Sequence, residues 1–390
     1  MVKYLRRLGH EVTVVTAAPP GEARGETDGV IRTRSLNSSR ALRRLLLRTD
    51  RSSAAPSPEA TPTGILPTPL WKAIVPDPWL VTWNPYALRA ARRTLARQSL
   101  DCVITSSPAE STHLLALALG RHRPAWVADL RDGWCFEPLR EPFPLGFQRS
   151  VDRRAERRVA TSADVLTAAT VPIAEDLQRR FGVEAWHVPN GFDPAAQTDA
   201  LPPEYDRARL TLVHTGPLLG PRGRDPRPLL TALSRVRDQN PRLQLLIAGR
   251  SEYDEATLLA EAGLGDAVLH LGYLPRAQAL ALQRVARALL LLTSDATCEA
   301  TGKLYEYLAS GRPIIALARG NEAARIVSET GSGVAVAPHD VDAIASAINL
   351  ALSGKLEREY RPHGLDPYRY PAPAERMAEA VERAIAIKRG

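Results

Sequence analysis

The sequence predicts an α/β chain of two doubly wound, mostly parallel-sheet units, and three observations carry that prediction. Its 390 residues exceed what one hydrophobic core ordinarily holds and suit two domains. From residue 101 onward, short apolar runs alternate with helix-length segments, the pattern of parallel strands joined by crossover helices. A polar, proline-bearing stretch at 190–206 interrupts the alternation, which then begins again.

Taken in order, residues 1–8 read as the end of a helix, Gly9-His10 as a turn and 12–16 as a strand. Residues 17–65 are rich in Pro, Gly, Ser, Thr and Arg, a loop composition interrupted at 41–48 by a segment with one apolar and one cationic side. That segment is a candidate membrane-surface helix. Three tryptophans fall in 67–83, and 85–98 reads as a basic helix. Strands follow at 101–105, 125–129, 164–168 and 185–188, with helices at 109–119, 147–160 and 173–181 between them. Beyond 206, strands at 210–215, 243–248, 268–272, 288–292, 314–318 and 333–337 alternate with helices, and 373–387 is a last helix. Two Rossmann-like units facing across a ligand cleft are the simplest account.

Composition narrows the function. The formal charge of +8 arises from 51 basic and 43 acidic residues. Residues 1–195 hold 27 of the former and 20 of the latter, so the positive excess lies in the first half. Such a half suits phosphate-bearing ligands or an anionic membrane surface. Aromatic residues make up 5%, and no nucleic-acid-binding motif accompanies the charge, which argues against nucleic acid. Cys102, Cys135 and Cys298 are scattered and odd in number, the pattern of a reducing compartment without a disulfide or zinc framework. A cytoplasmic location, with contact at the inner face of the membrane, is the expectation.

The residues able to carry chemistry cluster at predicted strand ends. Gly302 opens a helix after the strand at 288–292, so free N–H groups and the helix dipole favour an anion there, with Lys303 adding a full charge. Glu306 lies one turn on, placed to accept from hydroxyls; an ordinary Lys–Glu surface pair is the competing reading. Gly216 ends the strand at 210–215, where a glycine allows close approach of the backbone to a bound group. Arg222 and Arg224 follow before Asp225-Pro226, and an arginine fork there suits a pyrophosphate. Arg250, after Gly249, repeats the pattern at the next strand end.

In the first unit the informative run is 126–134. Asp129, Arg131 and Asp132 at a strand end either face the cleft or form a self-satisfied network, because burying them unpaired is costly. Asp132 could orient an acceptor hydroxyl, Arg131 could meet a phosphate and Trp134 could offer an apolar wall. His113 opens the helix after the Ser106-Ser107-Pro108 loop, where a packed histidine is the plainer reading.

Together these pieces resemble the retaining GT-B glycosyltransferases of family 4, particularly bacterial cell-surface polysaccharide enzymes. The resemblance is carried by the Ala-Asp-Leu-Arg-Asp-x-Trp run at 128–134, the Pro-Asn-Gly turn at 189–191, the Thr-Gly…Arg-Asp-Pro motif from 215 and the Lys-x-x-Glu-Tyr-x-Ala-x-Gly-x-Pro motif at 303–313. It implies an acceptor-side domain at 1–190, a linker at 191–208, a nucleotide-sugar-binding domain at 209–358 and a C-terminal segment at 359–390 packing back on the first domain. It implies Arg224 and Lys303 on the donor diphosphate, Glu306 on the ribose, and Glu299 through Gly302 on the transferred sugar. Asn321-Glu322 would add a contact. No metal or further cofactor is implied beyond the donor, expected to be a UDP-sugar; the acceptor would be a glycan or lipid-linked. Asp132, Arg224 and Lys303 are the residues assigned to catalysis.

Two departures stand out. Cys298 occupies the position eight before Glu306 where many relatives have a first glutamate, with Glu299 one place out of register. Relatives also begin with a strand and glycine-rich loop, whereas this sequence opens in the following helix, so a first inner strand is expected to be lacking. A sugar-nucleotide 2-epimerase and a non-catalytic sugar-nucleotide-binding protein are the competing functional classes.

Overall fold

The computed structural model describes residues 1–19, 25–35, 82–138, 143–193, 201–219, 224–249 and 255–390. The candidate amphipathic segment at 41–48, Arg222 and Arg250 lie outside them. The chain divides into two compact units: Met1–Ala169, Ile173–Val188 and Ala374–Gly390 form one, and Thr170–Pro172 with Pro189–Pro373 form the other.

The first unit runs α1 (Val2–Arg7), β1 (Val14–Ala17), β2 (Gly25–Thr27), β3 (Val30–Thr33), α2 (Asn84–Arg97), β4 (Cys102–Ser106), α3 (His113–Leu119), β5 (Ala125–Leu130), α4 (Gly146–Ser162), β6 (Val165–Ala168), α5 (Val171–Phe181) and β7 (Ala185–His187). Strands β4-β5-β6-β7 form a parallel sheet in that order. A separate three-stranded sheet has the order β1-β3-β2. This differs from a single parallel sheet, and it places two strands in a stretch read from its composition as loop. Strands β2 and β3 pair antiparallel around Asp28-Gly29, both with positive φ (51° and 71°). Two such residues in a two-residue connection are what a tight hairpin requires.

The second unit runs β8 (Leu210–Thr215), α6 (Arg227–Gln239), β9 (Leu243–Ala248), α7 (Glu255–Glu261), β10 (Val268–Gly272), α8 (Arg276–Val285), β11 (Ala288–Leu292), α9 (Gly302–Ser310), β12 (Ile314–Leu317), α10 (Glu322–Glu329), β13 (Gly333–Val336), α11 (Val341–Leu352) and α12 (Lys355–Glu359). Its sheet is six-stranded and wholly parallel, in the order β10-β9-β8-β11-β12-β13. Alternation decides which helix covers which face. Leu212, Leu245, Ile247, Leu290 and Leu292 pack with Leu229 and Leu233 of α6 and Ile344 and Ile348 of α11. Their neighbours Val213, Leu246, Leu289 and Leu291 pack with Leu282 of α8 and Leu304, Tyr305 and Tyr307 of α9. Burial on both faces explains the continuous run Ala-Leu-Leu-Leu-Leu in β11.

The last helix, α13 (Ala372–Arg389), returns to the first unit. Met377, Ala380, Val381 and Ala384 share a core with Leu5 of α1 and with Ala125, Val127 and Val165. Arg376 donates to the carbonyl of His187 at 3.2 Å.

Candidate functional site

In the second unit, the ends of β8 and β11 meet at the start of α9. Strand β8 ends at Thr215, and Gly216 follows with φ +106°, a conformation that side chains other than glycine's resist. A Cβ placed on Gly216 would lie 2.0 Å from Lys303 Nζ and 2.5 Å from its Cε. The ammonium of Lys303 therefore rests on the bare backbone of Gly216; the dihedral requires the glycine, and its missing side chain leaves the room that Lys303 occupies. Lys303 comes from the first turn of α9, which β11 and the loop to Thr301 deliver to this point.

Beside it, Arg224 and Glu299 form an ion pair at 3.3 Å, each side chain only 9% exposed. The Glu299 carboxylate also accepts from the Ser294 N–H at 2.9 Å and from the Ser294 hydroxyl. Arg224 Nε is buried and without a partner among the described residues. Burial, followed by the neighbouring Arg224 guanidinium, pulls the Lys303 ammonium down to about 8, although Glu299, Glu255 and Glu306 pull the other way. Two cations, Lys303 and Arg224, thus share one spot, and burial is the larger influence on the first of them. A small pocket opens next to Arg224, lined by Ser294 and Asp295 from the loop after β11 and by His339 after β13.

The strand ends are braced from beneath. The Tyr307 hydroxyl accepts from the Thr215 N–H at 2.8 Å and from the Thr215 hydroxyl at 3.1 Å. Glu255, 3% exposed, accepts from the N–H groups of Leu218 and Leu219 at 2.7 and 3.0 Å. His214 is fully buried, its two ring nitrogens against the carbonyls of Leu290 and Pro217. Burial and the Lys303 charge hold it down at about 3, so it is neutral and donates to one of those carbonyls. Asn321 caps α10 by accepting from Ala324 N–H, while its amide donates to Thr293 and to the carbonyl of Ser294.

The structure thus gathers Gly216, Arg224, Glu299, Gly302 and Lys303 at one place. Glu306, one turn along α9, is paired with Arg276 of α8 at 2.8 Å. Asp132 belongs to the other unit, half-buried just past β5.

Around Asp132 the charged run is largely self-satisfied. Asp129 accepts from Thr167 and Ser106 hydroxyls at 2.8 Å each and pairs with Arg131 at 3.2 Å. Arg131 also donates to the carbonyl of Val188 at 2.9 Å, so this side chain is committed to the fold and is not offered to a phosphate. Trp134 likewise is 2% exposed, donates to Asp152 at 2.9 Å and stacks on His113 at 5.9 Å; it is core and no open wall. His113 is buried, and burial takes it down to about 4. Trp126 donates to the Thr105 hydroxyl at 2.8 Å, and the same hydroxyl shares a hydrogen bond with His113 Nδ1 at 2.9 Å.

Family models match both units: residues 1–191 match the glycosyl transferase 4-like domain, and residues 224–362 match glycosyl transferases group 1. Sucrose-phosphate synthase from Thermosynechococcus elongatus superposes with a TM-score of 0.64 at 18% identity, over 98% of this chain and 91% of its own. The chain is a GT-B-fold, glycosyltransferase-like protein. Other solved GT-B relatives agree in fold. Anabaena HepE, in complex with UDP, gives a TM-score of 0.54 at 17% identity over 78% of this chain and 80% of its own. A protein described as a UDP-N-acetylglucosamine 2-epimerase from Listeria monocytogenes gives 0.56 at 15% identity over 78% and 79%. No curated protein sequence matches it significantly.

Within this GT-B protein, sequence reasoning missed Tyr307, Ser294, Glu255 and Arg276. Tyr307 follows Glu306 in a motif already singled out, but its bond to Thr215 joins residues 92 apart in the chain. Only the fold brings them together.

Proposed function

We propose that the protein transfers a sugar, with retention, from a nucleotide-sugar donor, a UDP-sugar, to a glycan or lipid-linked acceptor in cell-surface polysaccharide or glycoconjugate synthesis. The observation that carries the reading is the placing of two cations at one strand end, Lys303 on the Gly216 backbone with Arg224 beside it. A diphosphate brings negative charge to that spot, and it gains the N–H groups at the start of α9 as well. Fixed cations in a partly buried site stabilise the charge that develops on a departing nucleoside diphosphate without reorganising. Lys303 and Arg224 take that role, Glu306 meets the ribose and Glu299 with Gly302 the transferred sugar. Gly216 and Arg250 complete the donor side, and Asp132 orients the acceptor hydroxyl. Solved relatives of the same fold, HepE and TarM from S. aureus, were captured with UDP, which supports the donor class.

In the first unit, β4 (Cys102–Ser106) stands at one end of its four-stranded sheet. Among the described residues that strand pairs on one edge only, and its Ile104 is 38% exposed. Among them also, no helix is long and apolar enough to cross a membrane; action at the cytoplasmic side belongs to the proposal.

Calorimetric titration of UDP into the protein and into Lys303→Ala tests the site. The variant should lose roughly 1.5–3 kcal/mol of binding, the scale of a charged hydrogen bond. Unchanged affinity in a folded variant refutes the assignment. Incubating the protein with UDP-sugars alone then tests the class: an epimerised sugar formed without an acceptor would replace transfer by epimerisation.

A further inference from the structure

The helix Gly146–Ser162 carries a feature that donor and acceptor chemistry leave unused. Of the seven large apolar side chains exposed among the described residues, three lie at its start: Leu145 at 42%, Phe147 at 66% and Val151 at 58%. Phe147 and Val151 are one turn apart, and the same line continues through Arg154 and Arg158 at the i+7 and i+11 positions. Arg153 and Arg157, also exposed, flank that line. Arg154 and Arg158 have no ion pair or hydrogen bond among the described residues.

The helix's two acids are turned the other way. Asp152 accepts from Trp134 at 2.9 Å and from the Cys135 thiol at 3.4 Å. Glu156, 1% exposed, accepts from Cys135 N–H and from both ends of the Arg180 guanidinium at 2.7 and 2.8 Å. Every negative charge of the helix is thus consumed inside the unit, while its outer face shows apolar residues at one end and only cations along the rest.

We infer that this outer face docks on an anionic lipid surface, with Leu145, Phe147 and Val151 entering the headgroup boundary and the arginines meeting lipid phosphates. The pairing of exposed apolar side chains with unpartnered arginines on one helix face is the combination that an interfacial helix uses. A nucleic acid would satisfy the arginines and leave Phe147 and Val151 in water. A second copy of this chain would bring the same cations face to face. The proposal is independent of the catalytic reading, because it can be measured without donor or acceptor.

The test is co-sedimentation of the full chain with phosphatidylcholine vesicles, with and without phosphatidylglycerol. Binding should require the anionic lipid and weaken with salt. Arg154→Gln with Arg158→Gln should lower the partition coefficient about fivefold per arginine, roughly 25-fold for the pair. Phe147→Ser with Val151→Ser should lower it by about tenfold or more. Arg89→Gln with Arg93→Gln, on the exposed side of α2, removes the same charge elsewhere and should leave most of the binding in place. An equal loss from that control pair overturns the assignment of the surface. So does the absence of vesicle binding by the unaltered chain, or a dimer in solution that Phe147→Ser dissolves. Circular dichroism of each variant separates these outcomes from misfolding.

Discussion

Replacing Lys303 with methionine should make the ligand-free protein more stable while removing its affinity for a nucleoside diphosphate. The ammonium is largely buried beside Arg224, and those two influences bring its pKa from 10.5 to about 8 despite three carboxylates pulling upward. A depression of that size corresponds to roughly 3 kcal/mol of cost for keeping the group charged in the folded state at neutral pH. Methionine matches the length of the stem and carries no charge, so a gain on the order of 1–3 kcal/mol is expected after packing losses. In a unit of this size that is about 2–4 °C in Tm for each kcal/mol.

The sign of the pH dependence follows from the direction of the shift. With the folded pKa below the unfolded one, the unfolded chain binds the extra proton between about pH 8 and 10.5. The destabilisation is therefore complete below pH 8 and is relieved as pH rises through that window. Urea unfolding of both proteins at pH 7 and pH 10 reads this out: the methionine variant should be ahead at pH 7, and the gap should close towards pH 10. A variant less stable than the parent at pH 7, or a gap indifferent to pH, would refute the claim that Lys303 is held under electrostatic strain.

Other perturbations probe the same construction. Tyr307→Phe strands the buried Thr215 N–H and should cost about 1–3 kcal/mol in urea unfolding, with a parallel loss of UDP affinity as Gly216 shifts. Gly216→Ala drives a methyl into Lys303 from a strained dihedral, and calorimetry should show UDP binding weakened by roughly 1.5–3 kcal/mol or abolished. UDP affinity of the parent should fall above about pH 8 as Lys303 loses its proton, by about tenfold per pH unit, while Lys303→Arg should hold its affinity across that range. Asp129→Asn removes the charge that pairs Arg131 and should destabilise the first unit by roughly 3–5 kcal/mol, with UDP binding by the second unit unchanged.

Parts of this molecule were open to reading because their signals are local. The alternation of apolar runs and helices gave the parallel sheet of the second unit strand by strand, since burial on both faces forces continuous apolar sequences such as that of β11. The β2–β3 hairpin also had a local signal, Asp28-Gly29, but it lay in a stretch whose overall composition reads as loop. Contacts set by tertiary packing carried no such signal. Glu306 sits on the face of α9 that the sequence indicates, yet its partner Arg276 comes from another helix. The contact of Lys303 with Gly216 likewise depends on β8 and β11 lying side by side in the sheet.

The two charged clusters show why sequence alone could not rank them. The run containing Asp129 and Arg131 and the pair Arg224 and Glu299 are alike in composition, each placing opposite charges at the ends of parallel strands. What separates them is compensation. Asp129 has hydroxyls from two strands and a guanidinium, and Arg131 has a carboxylate and a carbonyl, so nothing there calls for a further ligand. Around Arg224 the satisfaction is incomplete: Glu299 pairs with its guanidinium, but its Nε has no acceptor among the described residues, and the adjacent ammonium is pulled down to about 8 by burial first and the like charge second. Buried charge left in that condition is costly unless something else restores the balance. In the proposed reading a diphosphate would accept from that Nε and offset the cost of keeping Lys303 charged, so the strain in the ligand-free site and the affinity proposed for the donor are two expressions of the same burial.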